Sequence, residues 1–146
     1  MSNEKIKHLE LVEAIIERMA RNSFQLKGWT ITLISLISVF ATTNISNGWR
    51  VVVFGILLIP TISFWYLDAF YLSLERKYRL FYTKILENKI PLLCLDLKKM
   101  EYSQDESEEV KVSSCVKAQC NRWFYSSLVA VILILIIISV VYYSQH

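Results

Sequence analysis

Three apolar runs stand out along the chain. They are GWTITLISLISVFATTNI at residues 28–45, VVVFGILLIPTISFWYLDAFYL at 51–72 and WFYSSLVAVILILIIISVVYY at 123–143. A helix at the surface of a soluble domain keeps a polar face, so its charges recur along every element. Here they do not: no Lys, Arg, Asp or Glu lies between Gly28 and Gly48, or between Trp123 and His146. About 20 apolar residues in a helix cross ~30 Å of hydrocarbon. The pattern therefore predicts three transmembrane helices, the first slightly short and rich in hydroxyls.

The stretches between the runs have other periods. In residues 1–27, Leu9, Val12, Ile16 and Met19 follow helical spacing, while Glu10, Glu13, Glu17 and Arg21 share another face. An acidic face suits anionic lipid poorly, so this amphipathic helix is expected to pack on protein. Residues 46–50 form a short turn and residues 144–146 a tail. Residues 73–122 begin as a continuation of the second span, with Pro91 as its stop. The apolar piece IPLLCLDL then docks as a strand or turn, SQDESEEVK reads as a flexible solvated loop, and a helix resumes from Val110. Pro60 is expected to kink the second span, because it has no N–H to donate. The fold class is an all-α membrane protein: a cytoplasmic N-terminal helix, three transmembrane helices and a helical cytoplasmic segment between spans two and three.

Composition agrees, with 54% hydrophobic residues and a mean hydropathy of +0.38. Charge adds orientation. Residues 1–27 carry five Lys and Arg, residues 46–50 only Arg50, residues 73–122 ten, and the tail none. By the positive-inside rule the leader and the segment 73–122 are cytoplasmic, and the turn and C-terminus are external. In a bacterium this is a multi-pass protein of the inner membrane. The leader holds four glutamates and no short basic region, so it is read as retained rather than as a signal peptide.

Little in the chain points to catalysis. Cys94, Cys115 and Cys120 have no companion histidines; His8 and His146 fall on opposite sides of the membrane in this topology. No phosphate-cradling, hydrolase or metalloprotease motif is present, so no enzyme activity, cofactor or metal is expected.

Asp68 is the exception within the second span. An intramembrane carboxylate is costly and seeks a partner or water. Lys27 falls at similar depth in the antiparallel hairpin, which offers an inner-mouth Lys27–Asp68 pair; hydration near the interface is the alternative. In the first span, Thr32, Ser35, Ser38 and Thr42 step by three, three and four, on one side. Such a stripe either packs against other helices or lines a wetted ion path. The third span is aliphatic, with aromatic residues at both ends, and can meet lipid on most sides. Just past the second span, Arg76, Lys77, Tyr78, Arg79, Tyr82, Lys84 and Lys89 mix cations with aromatic rings. Such residues bind a nucleotide or single-stranded oligonucleotide, or simply anionic headgroups.

The segments NSFQLKGW (22–29), FWYLDAFYL (64–72), ERKYRLFY (75–82) and IPL (90–92) resemble those of small bacterial three-span membrane effectors of anti-phage operons, SLATT-like and Hailong-type. The resemblance covers nearly the whole chain, apart from SQDESEEVK and the cysteines. It implies a homo-oligomeric pore, controlled by a nucleotide or oligonucleotide, that depolarises an infected cell. It also implies an operon-encoded nucleotidyltransferase as a partner. A tetramer is the working subunit count, because one three-helix subunit cannot enclose a path. The competing class is a non-conducting anchor or immunity-type interaction protein.

Overall fold

A computed structural model describes residues 3–91, 94–97, 100 and 102–145. Leu92 of the proline break and His146 of the tail lie outside the described residues. All regular structure among these residues is helical: α1 (Asn3–Asn44), α2 (Asn47–Ile56), α3 (Leu58–Leu86), α4 (Gln104–Glu109), α5 (Val112–Val116) and α6 (Gln119–Gln145). Three stretches are long and apolar enough to cross a membrane, Asn3–Asn44, Gly48–Leu86 and Gln119–Ser144. The chain divides into two compact units. One holds residues 1–24 and 69–117, the other residues 25–68 and 118–146. Helices α1 and α3 contribute residues to both.

In the unit of residues 25–68 and 118–146, Ile34, Ala41, Phe54, Leu57 and Ile132 form the buried core. The second span is interrupted at Leu57, between α2 and α3. Pro60 lies three residues further on and has no N–H for the Ile56 carbonyl, which accounts for the break. The turn before α2 is shorter than residues 46–50. Gly48, Trp49 and Arg50 are already helical, with Trp49 and Arg50 donating their N–H groups to the Ser46 carbonyl at 3.1 and 3.2 Å. The Arg50 guanidinium turns back on α1, donating to the carbonyls of Ala41 (3.1 Å), Ile45 (2.9 Å) and Thr42 (2.7 Å). It thereby satisfies carbonyls that the end of α1 leaves without helical partners.

In the unit of residues 1–24 and 69–117, Leu9 and Val12 of α1 pack with Phe81 and Ile85 of α3, and with Ile90 and Met100. The acidic face of α1, with Glu10, Glu13 and Glu17, is exposed. His8, also from α1, is fully buried, with Nε2 2.8 Å from the Cys94 carbonyl oxygen. Asn88, not Pro91, ends α3. It adopts φ 58°, the left-handed region that asparagine tolerates at a helix end. The N–H groups of Lys89 and Asn88 then close back on the carbonyls of Lys84 (3.0 Å) and Ile85 (3.1 Å).

The segment read as a flexible loop is a capped helix, α4. Ser103 Oγ accepts from the Glu106 N–H at 3.3 Å, and Glu106 Oε2 accepts from the Ser103 N–H at 2.8 Å. Lys84 Nζ donates to the same carboxylate at 2.9 Å. Acidic composition concealed this pattern, because the S-x-x-E box lies within it. The Lys84 ammonium and the Ser103 N–H hold the Glu106 carboxyl below its ordinary value of 4.5. A depressed carboxyl adds stability that is present above that ordinary value and lost as pH falls through the folded one. Acid melting of α4, followed by amide exchange, is therefore expected to begin below about pH 4.5 and to flatten in Glu106→Gln. Ser103→Ala is expected to weaken α4 by about 0.5–2 kcal/mol at neutral pH.

Candidate functional site

A polar cluster interrupts the apolar interior of the unit of residues 25–68 and 118–146. Asp68 of α3 is fully buried, and Lys27 Nζ donates to its Oδ2 at 2.5 Å. The pair offered by the sequence is formed in the structure. Further residues, which the sequence did not single out for this role, complete the cluster. Tyr125 of α6 is fully buried, and its hydroxyl donates to the Phe64 carbonyl at 3.4 Å. The same hydroxyl interacts with the side chains of Asp68 and Thr30. Thr30 Oγ1 donates to the Leu26 carbonyl at 2.7 Å, leaving its lone pairs available. Trp65 stacks on Tyr125 with ring centroids 5.8 Å apart, and the Lys27 ammonium lies 6.0 Å from the Phe124 centroid. One hydroxyl of α6 thus meets a carboxylate and a carbonyl of α3 and a second hydroxyl from α1.

The first-span stripe divides. Thr32, Ser35 and Thr42 are exposed on the outer side of α1. Ser38 is not with them: it is half-buried, and its Oγ is shielded with no hydrogen-bond partner among the described residues. Successive steps of three fall short of a helical turn, so the stripe rotates away from its starting face by Ser38. The threonine protons are directed inward. Thr32 Oγ1 donates to the Gly28 carbonyl (2.9 Å), and Thr42 Oγ1 to those of Ser38 (3.0 Å) and Val39 (2.9 Å). What these hydroxyls present outward is oxygen lone pairs. Thr32 and Ser35, but not Thr42, line a groove of about 650 Å³ with Ile31, Leu36, Val39, Phe40 and Thr43. The outer face of α6, by contrast, is aliphatic, with Val131, Leu133, Ile134, Ile137 and Ile138 all exposed.

The seven basic and aromatic positions after the second span do not form one site. Arg76 donates to the Glu109 carbonyl at 3.0 Å, and Arg79 pairs with Glu75 at 2.7 Å. Lys77 is half-buried. Tyr78 and Tyr82 pack against the apolar core of their unit. Lys84 and Lys89 do come together, lining a cleft of about 780 Å³ with Tyr102, Ser103, Glu87 and Glu106. Each lysine there has a carboxylate beside it, Lys84 on Glu106 at 2.9 Å and Lys89 on Glu87 at 2.6 Å. Contact with Glu87 raises the Lys89 ammonium above its ordinary value, and burial raises the Tyr102 phenol.

Cys94, Cys115 and Cys120 are all free thiols, and burial raises Cys115 despite the positive charges of Arg76 and Lys77. No cluster of metal-ligating side chains occurs among the described residues. No family model, curated protein or solved structure matches this chain.

Proposed function

We propose that this protein is an ion-conducting membrane effector assembled from several copies, working in bacterial anti-phage defence as do the proteins it resembles. The outward-facing hydroxyls of α1 support this reading most strongly. A helix meant only for lipid gains nothing from a line of threonine and serine oxygens on its exposed side, whereas lone pairs can replace water around a passing cation. In this reading Thr32, Ser35 and Thr42 line the path. The aliphatic exterior of α6 faces lipid, and residues 1–24 and 69–117 form a cytoplasmic gate. A nucleotide or oligonucleotide acting there would meet Lys84 and Lys89 in the cleft and the exposed Arg79. Such a ligand shifts a gate only by its differential affinity for closed and open states; a hundredfold difference supplies about 2.7 kcal/mol per site.

Ser35→Leu replaces one of the exposed hydroxyls of α1 with a branched apolar side chain. It is expected to abolish ion flux from reconstituted vesicles while leaving insertion and yield unchanged. Wild-type flux through Ser35→Leu would remove α1 as the lining.

One observation favours a second reading. Hydroxyls that donate to their own helix, as those of Thr32 and Thr42 do, are also at ease in lipid. That suits a non-conducting anchor whose cytoplasmic unit recruits a partner. Such a protein would leave the membrane potential unchanged when produced alone.

A further inference from the structure

The cluster around Asp68 has the composition of a cation site whose cation is a side chain. We propose that the Lys27 ammonium is a tethered occupant of a binding site for one monovalent metal ion, built from the Asp68 carboxylate, the Phe64 carbonyl and the hydroxyls of Tyr125 and Thr30. The donor set is entirely oxygen, with one formal negative charge. Hard cations take oxygen ligands, and divalent ions in protein sites gather several carboxylates. A single carboxylate among neutral oxygens balances a single positive charge. At present Lys27 Nζ supplies that charge 2.5 Å from Asp68 Oδ2.

Asp68 is fully buried, so it cannot stand charged and alone if Lys27 leaves. Lys27 itself is partly exposed, with 20% of its side chain accessible, and so has a way out. Sodium or potassium entering as Lys27 withdraws would keep the carboxylate neutralised, with Tyr125, Thr30 and Phe64 already at hand. Exchange of ammonium for metal then frees the Lys27 side chain without stranding a buried charge, while Thr30 and Asp68 stay joined through the ion. This gives the proposed conductor a response to the cation it carries. Its place in conduction rests on the reading above; the site itself does not, and the following test uses no current.

The full-length chain in detergent is unfolded thermally in sodium, potassium or N-methyl-D-glucamine chloride at equal ionic strength. Wild type should show a much smaller difference among the three than Lys27→Met does, because the tethered ammonium competes with the metal for the site. Lys27→Met should show a saturating rise in melting temperature with sodium or potassium, or should fold only when one of them is present. Adding Tyr125→Phe should move that rise to higher cation concentration. Lys27→Met/Asp68→Asn should fold and be indifferent to the cation. A Lys27→Met protein that responds no more than the double variant, or that fails to fold in every salt while the double variant folds, would overturn the proposal.

Discussion

Asp68→Ala is expected to destabilise the protein by about 1.5–3 kcal/mol, since it removes the buried acceptor of the Lys27 ammonium, which must then turn to water. The loss should appear as a lower detergent or thermal unfolding midpoint, and no metal cation should restore it. Removing both charges is a different matter. Lys27→Met/Asp68→Leu exchanges a buried pair for apolar volume and is expected to recover most of the loss, because neither ion then has to be desolvated. Should the double variant be as unstable as Asp68→Ala alone, the pair is not what holds α1 and α3 together here.

Phe81→Ala carries the second large effect. The ring is fully buried between Leu9 and Val12 of α1 and Ile85, Ile90 and Met100, and it meets His8 edge-on at 6.1 Å between centroids. Deleting a buried phenylalanine side chain costs about 3–5 kcal/mol when the site cannot collapse. Several elements meet at this ring, so the cavity has no single flexible neighbour to fill it. Amide exchange in residues 3–24 and 78–90 is expected to accelerate together. A loss below about 1 kcal/mol would mean that the leader helix is held by something other than this core.

The large elements were legible because membrane helices announce themselves by length and by missing charge. Residues 123–143 fall inside α6 and residues 28–45 overrun α1 by Ile45 alone, and the hydrophobic spacing of Leu9 and Val12 marks the buried face of the leader. What escaped was capping and long-range polar pairing. The SQDESEEVK segment looked disordered by composition, yet the Ser103–Glu106 box and Lys84 order it. Pro91 drew attention as a helix stop, but Asn88 in the left-handed region acts first. The membrane carboxylate pointed to Lys27 through matched depth alone. Aromatic clustering at the end of the third span marks Tyr125 as an interfacial anchor, and only α6 lying beside α3 brings its hydroxyl to the Phe64 carbonyl and Asp68. The seven-residue basic patch shows the converse limit. Closeness in sequence put Arg76, Arg79 and Lys84 together, while a helical turn sends them to different partners.

Conduction along the outer face of α1 would dissipate the membrane potential. The measurement that reaches it most directly is a potential-sensitive dye in bacteria as production of the protein is induced, with Ser35→Leu in parallel. Rapid loss of membrane potential with the wild-type chain, absent with an equally inserted Ser35→Leu chain, is the result expected. A potential that stays constant while wild-type protein accumulates in the membrane, with any candidate ligand or partner supplied, would contradict it.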